Sequence, residues 1–281
     1  MPLSKDGNVM SIPVFDAHSH AFPDAIALAA MKSLVEEALW FPIENHHDGT
    51  IGGLLASMKR AGIKRTIMCS VATRPTQVRK ITDWSASVAS KKVIPFASIH
   101  PDFPNPEDEV ARIAALGLRG LKFHPQYMRC AIDDPRTIRI AKAAAAAGLA
   151  MVFHCGYDLG FEKDELASPQ RTRALHEAVP DLRIMACHMG GWERWEEVLE
   201  CLVGQDIWFE TSFTLDRCPT RLLQRIFDEH PHDRILFGTD SPWADPLDDL
   251  EAFLKLRLSP ASQRQMLWTN AHRFLGLNEP S

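Results

Sequence analysis

Short apolar runs, many rich in β-branched residues, alternate along the chain with longer stretches whose apolar positions recur at helical spacing. The first run, Ile12 to Phe15, feeds directly into Asp16-Ala17-His18-Ser19-His20. A helical pattern over Asp24 to Leu39 follows and is broken at Trp40-Phe41-Pro42. Thr50 is a helix start and Gly62 its stop, with Ala61 as the last helical residue. Then come a strand from Arg65 to Val71, a helix from Thr76 to Ala89 and a strand from Val93 to Ile99. A proline-rich connection leads to a helix over Glu107 to Leu116.

The second half repeats the pattern more cleanly. Strands are expected at Leu118 to Phe123, Leu149 to Phe153, Leu182 to Cys187, Ile207 to Glu210 and Arg234 to Phe237. Between them lie helices that Asp134-Pro135 and Pro169 open, then Trp192 to Leu202 and Thr220 to Glu229, with further helices up to Leu275. Strand ends recur every ~25–35 residues, the span of a βαβ unit. Eight such units in a chain of this length read as an α/β fold, a (β/α)8 TIM barrel. It forms one domain over residues 1–281, with a short helical insertion after the first strand. A doubly wound sheet is the alternative, but no GxGxxG follows the first strand.

Composition adds little to this picture. At 281 residues, 46% apolar and 24% charged, the chain has ample core material. A net charge of −5 without a basic run argues against nucleic-acid binding. The six cysteines show no CxxC or paired spacing and read as reduced thiols. No hydrophobic signal core opens the chain and no long apolar stretch suggests a membrane span, so a cytoplasmic location is expected.

In a TIM barrel, chemistry sits where the strands end at the C-terminal face. Those positions hold His18 and His20, Arg74, His100, Lys122 with His124, His154, His188, the run Glu210 to Ser212, and Asp240. Residues two apart on a strand share a face, so His18 and His20 project side by side, with Asp16 in line behind them. Paired imidazoles at a strand end form half of a transition-metal site, zinc above all. By the same alternation Lys122 and His124 face inward, Lys122 as a cation for a substrate carboxylate or within a polar network. Arg74, in Thr73-Arg74-Pro75, is a candidate carboxylate clamp. Trp192 and Trp243 are candidate pocket walls, and Trp40 to Asp48 a candidate lid or dimer contact.

Six motifs carry a family resemblance. They are Phe15-Asp-Ala-His-Ser-His20, Gly120-Leu-Lys-Phe-His-Pro125, Val152-Phe-His-Cys-Gly156 and Met185-Ala-Cys-His-Met-Gly-Gly191, with Leu236-Phe-Gly-Thr-Asp-Ser-Pro-Trp243 and Asn270-Ala-His-Arg-Phe-Leu-Gly276. Together they resemble the amidohydrolase superfamily, in its amidohydrolase-2 branch of decarboxylases and lactonases. The resemblance implies one divalent metal, commonly zinc, held by His18, His20, His154 and Asp240. It makes His188 a catalytic histidine and Asp240 both ligand and proton carrier. It also raises Lys122 as a carbamylated bridge should two metals bind, and leaves the Glu210 position in doubt.

The activity expected first is metal-dependent hydrolysis of an ester, lactone or amide of a small organic acid. The alternative is a metal-dependent non-oxidative decarboxylase of an aromatic or muconate-type acid. A non-catalytic metal-binding scaffold is the third reading. Partners are limited to a small-molecule substrate and, by resemblance, a second copy in a homodimer.

Overall fold

The computed structural model describes residues 12–40 and 42–278. The chain's opening residues and Phe41 therefore lie outside it, and with them the leader reading and the centre of the Trp40-Phe41-Pro42 break. Eight strands follow in order: β1 (Val14–Ser19), β2 (Ile63–Cys69), β3 (Val93–Phe96), β4 (Gly120–Phe123), β5 (Ala150–Phe153), β6 (Ile184–Ala186), β7 (Trp208–Glu210) and β8 (Ile235–Leu236). The first helices are α1 (Asp24–Glu36), α2 (Ile51–Ala61), α3 (Val78–Val88), α4 (Pro106–Ala115), α5 (Pro125–Met128) and α6 (Pro135–Ala146). After β5 come α7 (Pro169–Ala178), α8 (Trp195–Cys201), α9 (Thr220–Glu229), α10 (Pro246–Leu254), α11 (Pro260–Arg264) and α12 (Asn270–Phe274).

Neighbouring strands pair in parallel, as β1-β2-β3 and as β4 through β8. Two seams close these into one ring. Ala97 bridges Leu121 between β3 and β4, where Lys122 N donates to Ala97 O at 2.8 Å. Ser19 bridges Ser241 past the end of β8, where Ala17 N donates to Phe237 O and Asp240 N to His18 O, at 2.8 and 2.7 Å. The fold is the expected (β/α)8 barrel.

Helix boundaries follow the sequence signals. Thr50 Oγ1 accepts from Gly53 N, Asp134 from Arg136 N and Ser168 from Arg171 N, each meeting a donor left unpaired in a first turn. From β3 onward the expected strands are one to three residues longer than the observed ones, because apolar residues continue past the ladder at one end or the other, whereas β2 has the expected length but lies two residues earlier.

A buried cluster of Phe15, Ile67, Ile94, Val152, Met185, Trp208 and Leu236 joins seven of the strands, and Trp268 and Phe274 pack against it. One register irregularity matters for function. The β1–β2 pairing slips between Asp16 and Ser19. Phe15 and Ala17 consequently belong to this cluster, while His18 and His20 line the cavity above. Simple alternation over Asp16, His18 and His20 misses this slip. Asp16 instead ties β1 to the β8 end: its Oδ1 accepts from His18 N and Thr239 N at 3.0 and 3.1 Å, and Oδ2 meets Thr239 Oγ1 at 2.8 Å.

Past β5 the chain extends the barrel edge through a bridge between Gly156 and Trp192. Gly156 has φ +89, and a Cβ there would meet Trp192 N at 2.2 Å and O at 2.3 Å. Gly156→Ala therefore forces both left-handed strain and a backbone shift. We expect it to cost about 3 kcal/mol, or roughly 6–12 °C in thermal midpoint. An unchanged midpoint would show that the Gly156–Trp192 approach is not fixed.

Candidate metal centre and cavity

A cavity of about 510 Å³ opens at the C-terminal ends of the strands. His18, His20, Lys122, His124, His154, His188 and Asp240 all line it, each from the strand end the sequence assigns, and Trp192 and Trp243 form part of its wall. Arg74 is a correction. Its side chain is exposed and absent from the lining, because the backbone turns at Pro75 into a short 3-10 helix. The carboxylate clamp assigned to Arg74 is not kept. His100 is buried outside the lining, where its Nδ1 accepts from Asp102 N.

Hydrogen-bond partners fix which ring nitrogens carry protons. His20 Nδ1 donates to Cys69 O at 2.9 Å, so His20 Nε2 is bare. His18 Nδ1 lies 3.1 Å from the Glu210 carboxylate and donates to it, so its Nε2 is bare as well. His188 Nδ1 donates to Ser212 O at 3.2 Å, leaving Nε2 bare, and His154 Nε2 donates to Tyr157 O at 2.9 Å, leaving Nδ1 bare.

These bare atoms point at one another. His18 Nε2 and His20 Nε2 are 3.2 Å apart, and His188 Nε2 and His154 Nδ1 are 3.1 Å apart. Asp240 Oδ1 lies 3.0 Å from His20 Nε2 and 3.3 Å from His18 Nε2, buried and, among the described residues, without a hydrogen-bond donor. Lys122 Nζ, 3.0 Å from His18 Nε2, supplies one hydrogen to this group. The other lone pairs face lone pairs, an arrangement that repels unless a cation lies between them.

Electrostatics keep the set in that form. Burial lowers the pKa of His18 and His188 to about 4 and of His154 to about 3, so all three are neutral at pH 7. Burial opposes ionisation of Asp240; positive charge on the facing His18 and His20 rings is what brings its carboxyl well below its usual range, and with those rings neutral that role falls to a cation between them. Glu210, fully buried, is held ionised at about 2 against its burial by His18, His188 and the Ser212 backbone.

His47 and His230 are likewise lowered to about 4 by burial. The unfolded chain protonates such histidines near 6.5, so it takes up protons that the folded chain refuses as pH falls. Asp16 and Asp249, whose carboxyls burial pushes up to about 8, titrate in the opposite sense, two groups against five. Stability of the metal-free protein should therefore fall as pH is lowered from about 6.5 towards 4. Urea unfolding at pH 7 and pH 5 checks this, and a more stable protein at pH 5 would contradict it.

The backbone is strained at two of these residues. His188 (φ 60) and Asp240 (φ 59) occupy the left-handed region, which costs a non-glycine residue on the order of 1–3 kcal/mol. His188 N donates to Glu210 Oε1 and Asp240 N to His18 O, so the site's own hydrogen bonds hold that geometry.

Two other groups of potential ligands lie nearby. His124, His154 and Asp158 form one, with His124 stacked on His154 at 4.2 Å and its Nε2 3.3 Å from Asp158 Oδ2. Here the Nε2 hydrogens face acceptors, Asp158 for His124 and Tyr157 O for His154, whereas His124 Nδ1 is buried without a partner among the described residues and His154 Nδ1 is the bare atom that faces His188. His18, Cys187 and Glu210 form the other, in which the His18 proton already bonds Glu210 and burial keeps the Cys187 thiol protonated.

Asp158 escaped the sequence reading, and Glu210 was placed at a strand end without a role. Glu210 is the acceptor that organises the site, and its signal was a charged residue ending the apolar run Ile207 to Phe209. Asp158 orients His124, and nothing local in its loop marks it.

A family model described as "Amidohydrolase" matches residues 15–277. A search of curated proteins finds no match. Among solved structures, 5-carboxyvanillate decarboxylase from Sphingomonas paucimobilis is similar at 15% identity and TM-score 0.74, over 95% of this chain and 100% of that one. The 2,6-dihydroxybenzoate decarboxylase from Rhizobium is similar at 16% identity and TM-score 0.66, over 94% and 98%. A dihydroxybenzoic acid decarboxylase from Polaromonas sp. JS666, with bound manganese and the inhibitor 2-nitroresorcinol, is similar at 16% identity and TM-score 0.68, over 95% and 98%.

Proposed function

The chain belongs to the amidohydrolase family, and from that membership and the geometry above we propose a metal-dependent, non-oxidative decarboxylase of a hydroxylated aromatic acid. The observation that carries the metal is the convergence of the bare His18 and His20 nitrogens on Asp240 Oδ1, beside the facing His154 and His188 nitrogens, where among the described residues only Lys122 supplies a hydrogen, to His18. His18, His20, His154, His188 and Asp240 would hold the ion. Imidazoles with one carboxylate suit zinc, as the sequence suggests, and also manganese, which the similar Polaromonas structure holds. A bound divalent ion supplies a Lewis acid for the substrate's oxygens.

Decarboxylation takes precedence over the hydrolysis expected first, because the similar solved structures described above are decarboxylases of aromatic acids. The cavity favours it as well. Its walls include Trp192, Trp243, Phe213 and Tyr157, and loss of a carboxylate as neutral CO2 is eased where water is excluded. Asp240 is ionised at rest and reaches the cavity, its side chain 13% exposed. It would accept the proton of a ring hydroxyl and pass it to the ring carbon that bears the carboxylate. The C–C bond then breaks, its electron pair returns to the ring, and CO2 leaves. Burial works against a charge on Lys122, yet the Asp240 and Glu210 carboxylates hold its ammonium, which sets a positive field beneath the incoming anion.

The test is incubation of metal-loaded protein with 2,6-dihydroxybenzoate and 5-carboxyvanillate in D2O. We expect CO2 release together with one deuterium at the vacated ring position. Turnover of lactone or ester substrates with both acids untouched would reverse the order of the two readings.

A further inference from the structure

The outer half of the cavity contains almost none of the chemistry described so far. Ile26, Ala30 and Leu34 on α1, with Ala38 just past its end, recur every four residues and form one stripe along the cavity. Ile81 and Trp84 on α3 line it from another side. A helix stripe of this kind normally packs against protein. Here only Ala27 and Met31 of α1 are buried, while Ala30, Leu34, Ile81 and Trp84 are half-buried and Ile26 is 52% exposed. Ile81 and Trp84 also pack against the core, and the apolar surface that these residues leave uncovered lines the cavity.

Size points the same way. At ~30 Å³ for each water-sized group, 510 Å³ has room for about seventeen non-hydrogen atoms, whereas a dihydroxybenzoate has about eleven. The ligand histidines, Asp240 and Lys122 all sit at the strand ends; Gln77 and Lys80 also line the cavity, beside Ile81 and Trp84, so the surplus volume is a largely apolar outer part.

We propose that this outer part is an acceptor chamber for an apolar substituent, making the substrate an amphiphilic aromatic acid with an alkyl chain or second ring away from its carboxylate. The proposal rests on the aromatic-acid reading above and specifies the class of acid. The polar ring end faces His18, His20, His188 and Asp240, and the substituent covers the stripe of α1 and the α3 wall.

Binding of decarboxylated product analogues tests it without requiring turnover. Resorcinol, 5-pentylresorcinol and 5-phenylresorcinol are titrated calorimetrically into metal-loaded protein. Each buried methylene should tighten binding about fourfold; after the cost of ordering the chain, the pentyl homologue should bind on the order of a hundredfold tighter than resorcinol. Gain with the pentyl group alone assigns an alkyl tail, and gain with the phenyl group a second ring. Ala30→Trp, which fills the chamber, and Leu34→Ser, which makes its wall polar, should each cut the preference over resorcinol by tenfold or more. Equal binding of all three probes overturns the proposal, as does a preference that survives in both variants. Failure of the decarboxylase reading appears separately, as no CO2 from any acid while the preference for the substituted probe persists.

Discussion

Asp240→Asn is expected to lower turnover by about a thousandfold while leaving the thermal midpoint within a few degrees of the parent. Asparagine keeps the size and the left-handed tolerance that φ 59 demands. It removes the charge facing His18 and His20 and the oxygen that would carry a proton to the ring. Loss of a general acid–base group costs ~10²–10⁴ in rate, and a weakened ligand adds to that. Steady-state kinetics with the best acid, beside metal content and a melting curve, separate chemistry from folding. Activity within tenfold of the parent would remove Asp240 from the mechanism.

The second large effect is expected at Glu210, through structure and metal affinity together. Its carboxylate accepts from His18 Nδ1 at 3.1 Å, His188 N at 2.9 Å, Ser212 N at 2.7 Å and Ser212 Oγ at 2.8 Å. Gly238 makes room for it, since a Cβ there would lie 2.2 Å from Glu210 Oε2. Glu210→Ala leaves these four donors unpaired in the core and should cost ~3–5 kcal/mol. Glu210→Gln keeps the volume and can leave its amide oxygen where Oε1 accepts from His18, but it turns the Oε2 position into a donor facing Ser212 N and removes the charge, so the acceptor that fixes the His18 tautomer is weakened. Metal affinity should then fall by about 10–100-fold, the usual consequence of losing a group that orients a ligand. Chelator competition measures that loss, and parental affinity in Glu210→Gln would show that Glu210 does not set the His18 tautomer.

What could be read from the sequence follows from how local each feature is. The barrel was legible because strand and helix patterns repeat at βαβ spacing, and because Thr50, Asp134 and Gly62 mark helix ends with side-chain or backbone chemistry that acts within a few residues. His18, His20, His154, His188 and Asp240 were legible because a parallel barrel sends every strand end to one face. The slip in β1 was not, since it depends on how Phe15 and Ala17 pack against other strands. Arg74 was misplaced because a residue beyond the last ladder bond no longer takes its direction from the strand. The role of Glu210, though its place at a strand end was legible, and Asp158 altogether stayed hidden for a related reason: both act on partners 192 and 34 residues away.

The central claim is that the facing imidazoles and Asp240 form a metal centre, and metal content per chain tests it most directly. Protein purified without added metal, and the same protein after incubation with manganese or zinc and removal of excess, would be compared with His18→Ala by elemental analysis. About one equivalent of a divalent ion in the parent, lost in His18→Ala, is the result this account predicts. A parent that holds no ion after reconstitution, or a His18→Ala variant that holds a full equivalent, would contradict it.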